Sequence, residues 1–204
     1  MPSEVCHINF THRQSADPVF ILSQTFQCLH GFMRQEGIGL VLAPYHIDAE
    51  GVQWVGRNDS GPPDGIRVYS RVEDLEAFQS GFSLPGYLQE GLICSLPKVV
   101  DGDEEWIRVR RIQLKSTPSA LRRAERRHAA KPDDEALKAF KATHRSRRKE
   151  RPGLHFWIKR GEARYPIFLG VSAISTPPEG FASHNTYGAG LAPAAGLKHG
   201  DSTT

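Results

Sequence analysis

Apolar residues recur along the first hundred positions in two alternating periods, and the alternation spells out an order of elements. Val5 to Phe10 reads as a strand. After Asp17-Pro18, the residues Val19, Leu22, Phe26, Leu29 and Met33 return at steps of three and four, the spacing of one helical face. Asp17 offers an N-cap, Pro18 suits the first helical position, and Gly37 offers an ending. Ile38 to Ala43 is a short apolar run fit for a buried strand, and Asn58 to Gly65 is a Gly/Pro/Asp loop. Ile66 to Ser70 predicts a strand, Val72, Leu75 and Phe78 a shorter helix, and Leu92 to Val99 a last strand in which Pro97 marks an edge or an ending. Strand, helix, strand, strand, helix, strand is the ferredoxin-like, RRM-like βαββαβ order, so residues 1–100 are expected to form that domain. Many RNA-binding domains share the arrangement, but a fold does not name a function.

Past the acidic turn Asp101 to Glu105, taken as the domain boundary, the pattern changes. Arg108 to Lys115 reads as extended. Thr117-Pro118 repeats the cap-plus-proline signal and opens a helix to about Ala130, with Arg122, Arg123, Arg126 and Arg127 on one broad face. Ala130-Lys131-Pro132-Asp133 ends that helix and caps another carrying Leu137 and Phe140. Leu154 to Lys159 and Phe168 to Ile174 read as strands. The expected whole is α+β: the ferredoxin-like domain, then a smaller α/β domain over 101–191 bearing the arginine-rich helix. The Ala/Gly/Pro-rich residues 192–204 read as a disordered tail.

Charge changes the picture more than composition does. The hydrophobic 39% and charged 24% are ordinary for a globular protein. The net +3, however, conceals a segregation. Arg108 to Arg151 holds 16 Lys+Arg against 5 Asp+Glu, a net +11, while the rest of the chain carries −8. Too few acids lie in that segment to lace its bases into i,i+4 pairs, so it reads as a surface for a polyanion. Cys6, Cys28 and Cys94 are odd in number, widely spaced and without a CxxC pair, which argues against a disulfide framework or structural zinc and for a reducing cytoplasm. Nine scattered histidines lack ligand spacing, and no motif for a nucleotide, metal or other cofactor occurs. No apolar stretch approaches the roughly 18 residues of a membrane span, and Met1 to Phe10 lacks the pattern of a secretory signal.

Four arginines on one helical face present guanidinium forks to phosphates. The major groove of double-stranded RNA is deep and narrow, so such a helix suits a short hairpin whose groove opens at its end. Phosphate contacts add salt-sensitive affinity with little sequence information. Base reading needs other groups, and Arg111 with Gln113, on one face of the extended segment, fit guanine and adenine.

The run Arg111-Ile-Gln113-Leu-Lys115-Ser116-Thr-Pro118, followed by Leu121-Arg-Arg-Ala-Glu-Arg-Arg-His128, resembles the linker and arginine-rich helix of the subtype I-F CRISPR repeat-processing endoribonucleases. His30 within Cys-Leu-His-Gly, Gly153-Leu-His-Phe156 before Ile158-Lys-Arg-Gly161, and Tyr187-Gly188 with Leu191 agree with the same family. The resemblance implies cleavage at the base of a CRISPR repeat hairpin without a metal: the ribose 2′-hydroxyl attacks the adjacent phosphate, leaving a 2′,3′-cyclic phosphate and a 5′-hydroxyl. It further implies that the protein stays on the product hairpin, the mature crRNA, and joins the other subunits of a CRISPR surveillance complex. His30 corresponds to the residue that deprotonates the 2′-hydroxyl, a role suited to a side chain titrating near neutrality. Arg111 and Gln113 correspond to the base readers at the foot of the stem, with Lys115 beside them. Arg122, Arg123, Arg126, Arg127 and His128 correspond to the groove-binding helix. Phe156 corresponds to a residue beside the cleavage site and Tyr187 to one bordering the catalytic pocket. Phe156 and Trp157 also alternate along a strand, so one of them must face the core.

One departure bears on catalysis. Seven residues before the phenylalanine the family carries a serine that positions the ribose, whereas this chain has Lys149 there and Ser146 three residues earlier. Either Lys149 stabilises charge developing on phosphorus, or Ser146 takes over, or cleavage is weak. The rival readings are therefore a hairpin-binding structural subunit with little activity and a general basic RNA-binding protein.

Overall fold

The carboxylate of Asp17 accepts the backbone N–H groups of Val19 (2.9 Å) and Phe20 (3.2 Å), and Pro18 opens the helix behind it. This α1 runs Pro18–Glu36 and stops where Gly37 turns left-handed, φ 69°, a conformation glycine adopts without strain. In the computed structural model, residues 4–14, 17–49, 51–55, 62–100, 105–112, 125–126, 135, 138–139, 141, 156–174, 180–184, 188–196 and 198–199 are described. The first sheet contains β1 (Val5–His12), β2 (Val41–Asp48), β3 (Gly51–Trp54), β4 (Gly65–Arg71), β5 (Leu92–Cys94) and β6 (Lys98–Val99). Between β4 and β5 lie α2 (Val72–Gly81) and α3 (Gly86–Gly91). Neighbours run β3-β2-β4-β1-β5, all antiparallel, with β6 also on β1. Setting aside β3, which hairpins off the edge of β2, this is the ferredoxin-like order, and α1 and α2 cover one face.

Two predicted strands differ in detail, each around a proline. The expected strand over Ile38 to Ala43 begins only at Val41 and continues through Pro44 to Asp48. Pro44 is tolerated because a residue's N–H and C=O point to the same edge of its strand. The Pro44 carbonyl accepts the Val55 N–H at 3.1 Å, just past the last β2–β3 pair, so the missing donor costs the β4 ladder nothing. The expected strand over Leu92 to Val99 splits at Ser95–Pro97. Phe10 pairs with Cys94 but His7 with Lys98, so one extra residue is accommodated as a bulge. The short elements β3 and α3 carry too few apolar positions to announce themselves.

The second sheet is built from β7 (Trp106–Ile112), β8 (Phe156–Arg160), β9 (Ala163–Ile174), β10 (Ala182–Ser183) and β11 (Gly190–Pro193), in the order β10-β11-β7-β9-β8. Glu125, Arg126, Glu135, Lys138, Ala139 and Lys141 are helical, and Lys141 pairs with Glu125 at 3.2 Å. Part of the segment expected to be a disordered tail, residues 192–204, is ordered. Gly190–Pro193 pairs with β7, and β12 (Lys198–His199) adds in parallel to β3 in the first sheet. Small side chains make this possible: Ala192 and Ala194 are buried, and the buried Arg67 guanidinium donates to the carbonyls of Ala194 (3.2 Å) and Ala195 (2.6 Å). Residues 201–204 lie outside the description.

One hydrophobic core runs through both sheets, from Leu22, Phe26 and Leu29 to Ile107, Phe156 and Leu169. Backbone bonds cross the same seam, from Leu42 N–H to the Gly188 carbonyl (2.9 Å) and from Val171 N–H to that of Val55 (3.2 Å).

Candidate active site and nucleic-acid interface

The outer strand of a sheet leaves backbone donors open, and those of β8 are closed by α1. Trp157 N–H donates to Ser23 Oγ at 3.1 Å, and Lys159 N–H points to Gln27 Oε1 at 3.4 Å. The two contacts advance together, so helix and strand run side by side in one direction. Ser23, Gln27 and His30 follow i, i+4, i+7 spacing and hence one line along α1. His30 therefore stands on the seam between the helix and the second sheet, nearly one turn past the last of these contacts. It is half-buried, next to the fully buried Leu29 and the exposed Gly31.

Phe26 fixes the depth of the seam. Its ring stacks on Phe156 with centroids 4.9 Å apart and planes 5° from parallel. Phe156 is 1% exposed, so of the alternating pair it is the core residue, while Trp157, 37% exposed, faces out. The sequence-based expectation of Phe156 as an RNA contact is not met in this arrangement; its ring is spent on packing the strand against α1.

Register places Arg111 on the same side. Phe156 pairs with Ile167 and Arg111 with Leu169, and alternate residues of a strand share a face. Phe156, Ile167, Leu169 and the half-buried Arg111 thus line the sheet face that meets α1. Arg126 is exposed on a helical stretch. Gln113, Lys115, Arg122, Arg123, Arg127, His128, Ser146, Lys149 and Tyr187 lie outside the described residues. Gly188, the neighbour of Tyr187, is held at φ 73° against Leu42, where a side chain would collide.

Burial pushes the Cys28 thiol up, which keeps it protonated and unreactive two residues from His30. Among the described residues His7 is a buried histidine, and its Nδ1 has no hydrogen-bond partner. Burial first, then the nearby Arg67 and Lys98 charges, lower its pKa to about 4. That leaves it neutral near pH 7 and places it on β1, in the first sheet.

With this seam in view, comparison with known families is decisive. The family model for CRISPR-associated protein (Cas_Csy4) matches residues 6–196, from β1 to the turn after β11. The chain belongs to this family. Its members are CRISPR repeat-processing endoribonucleases, and no curated protein matches the chain individually. Among the described residues no helix is long and apolar enough to cross a membrane. Two residues important to the Csy4 seam escaped sequence reasoning, Ser23 and Gln27. Their signal was present: a polar line beside the apolar stripe of α1, ending on the histidine.

Proposed function

We propose that this chain binds the hairpin of its CRISPR repeat RNA and cleaves the precursor at the base of the stem. His30 accepts the proton of the ribose 2′-hydroxyl; the 2′-oxygen bonds to phosphorus as the bond to the 5′-oxygen breaks, and that oxygen takes up a proton on leaving. The products are a 2′,3′-cyclic phosphate and a 5′-hydroxyl. Arg111 and Gln113 read bases at the stem's foot, with Lys115 alongside, while Arg122, Arg123, Arg126, Arg127 and His128 grip phosphates in the groove. Lys149 or Ser146 stabilises the charge developing on phosphorus, and Tyr187 borders the reacting group. Phe156 acts from the core, holding β8 against α1 and so fixing the wall beside His30. The protein then remains on the mature crRNA as a subunit of the surveillance complex, in the reducing cytoplasm to which three unpaired cysteines are suited.

The observation that carries this reading is the Ser23-Gln27-His30 line on α1, which sets a single half-buried histidine on the seam facing the second sheet. The test is incubation with the host's repeat RNA in EDTA, beside His30→Ala, with binding followed in the same samples. Cleavage to a cyclic-phosphate end, lost in the variant while binding persists, is the expected result. Lys149, in place of the family's serine, favours one alternative: a hairpin-binding structural subunit of low activity. Tight binding without cleavage by the parent protein would establish that alternative.

A further inference from the structure

The face of the second sheet turned away from α1 carries charge that the hairpin reading does not use. Register again assigns the side chains: Trp157 lies opposite Pro166, Lys159 opposite Arg164, Arg110 opposite Gly170 and Arg108 opposite Ser172. All of these share one face, the opposite one to Phe156 and Arg111. From Arg164 to Ser172 the strip covers nine residues of β9, roughly 26 Å for eight steps of about 3.3 Å. Arg110, Lys159 and Arg164 are exposed, Arg108 is half-buried, and Trp157 is 37% exposed between them, beside Phe168, which shares this face and is 8% exposed. No Asp or Glu occupies this face among the described residues of β7, β8, β9 and β11, and none of these four cations enters a described ion pair.

We propose that this strip binds single-stranded RNA continuous with the hairpin, namely the unpaired strand on its 5′ side. A row of cations with an aromatic ring set among them is what an unpaired strand needs: phosphates meet the charges, and a base can stack on the ring without any sequence requirement. A duplex, by contrast, would leave the aromatic ring unused. The 5′ side follows from the proposed cleavage, on which this inference rests, with the cut placed on the 3′ side of the stem. The hairpin then stays on the upstream fragment, which carries the cyclic phosphate, and the strand still joined to it is the 5′ one.

The experiment measures affinity for the bare repeat hairpin and for the same hairpin with about ten unpaired nucleotides added at the 5′ end, or at the 3′ end, over a range of salt. The parent and Arg108→Ala/Arg110→Ala/Lys159→Ala/Arg164→Ala are compared, using an RNA with a 2′-deoxy substitution at the cleavage site, and circular dichroism confirms folding of the variant. The 5′ extension is expected to tighten binding by the parent about 10-fold and to steepen its salt dependence by up to roughly 3 in the log–log slope, at about 0.7 per phosphate neutralised. The variant should bind the bare hairpin within about 2-fold of the parent and gain nothing from the extension; Trp157→Ala should lose part of the gain. Should the parent bind the bare hairpin tightly but gain nothing from the 5′ extension, or gain equally from the 3′ one, the strip assignment is overturned while hairpin recognition stands. A gain that survives in the folded variant overturns it as well. Absence of hairpin binding by the parent overturns the reading beneath both.

Discussion

Arg67 and Arg110 each sit inside a strand, one in each sheet, and their surroundings are opposite. Arg67 is 4% exposed, and its guanidinium is tied to Asn9 Oδ1 at 2.7 Å and to the Ala194 and Ala195 carbonyls. Arg110 is exposed, opposite a glycine, with cations along the same face. The contrast extends to the sheets. In the first, one face meets the helices, and the other buries His7, Arg67, Tyr69, Tyr45 and Trp54, with Arg67 and Tyr69 bonded to the returning C-terminal residues. In the second, Phe156, Ile167 and Leu169 go to the core and Lys159, Arg164 and Arg110 go to solvent. A sheet covered on both sides serves as a scaffold, and its charges hold the chain together. In the second sheet the alternation of apolar and polar residues is kept apart from Phe168, and the exposed cations of the outer face are available to a partner.

The largest test of this division removes the joint between the two sheets. Phe26→Ala deletes a stacked, fully buried ring and should cost about 4 kcal/mol. For a chain of this length that lowers the thermal midpoint by on the order of 12 °C in a calorimetric or circular-dichroism melt. A loss under a few degrees would mean that α1 and β8 are not joined through this pair. Next comes Arg67→Ala, which strands an asparagine oxygen and two carbonyls in the interior. The expected cost is about 3 kcal/mol. Limited proteolysis should then cut first near Ala194–Gly196, the residues this arginine ties down; unchanged protection of that segment would deny Arg67 the clamping role.

How far the fold was legible depends on whether the deciding signal was local. Asp17-Pro18, the apolar stripe from Val19 to Met33, and Gly37 together specify α1, and the structure agrees residue for residue at both caps. β12 was not legible, because two residues after a Gly/Ala run have no strand signature; a parallel partner 145 residues away in sequence, Gln53 for Lys198, makes it a strand. The continuation of β2 through Pro44 was not foreseen, because a sequence does not reveal which edge of a strand the missing donor faces. Of the candidate site, His30 was named through the family resemblance and Arg111 already from the extended segment, and the seam beside α1 on which both lie was not foreseen. Choosing between Phe156 and Trp157 for the core required knowing which side of β8 meets α1. Alternation alone offers two equal answers.

The buried face of the first sheet also predicts a pH response. His7 titrates near 4 when folded and about 6.5 when unfolded, so between those values the unfolded chain binds more protons. Stability should therefore fall as pH drops from 6.5 toward 4, by about 3 kcal/mol across the whole window from this group. His7→Leu should flatten that part of the profile. It should also be neutral or mildly stabilising at pH 7.5, because the orphaned Nδ1 no longer needs to be buried. Chemical denaturation at four or five pH values measures both; an unchanged slope in the variant would mean another group sets the acid limit.

The smallest expected effect sharpens the comparison most. Arg108→Ala/Arg110→Ala changes two arginines two strands in from β8, yet both sit on the outer face, so stability should move by no more than about 0.5 kcal/mol. The thermal midpoint should then shift by roughly 1 °C, against several degrees for the single Arg67 substitution. Because all three residues are arginines in β-strands, intrinsic propensity is held nearly constant, and the difference isolates what surrounds the guanidinium. A midpoint loss in the double variant as large as that of Arg67→Ala would show the outer face to be structural. The four cations would then be holding part of this chain in place, as Arg67 does, and the second sheet would have no free face to offer RNA.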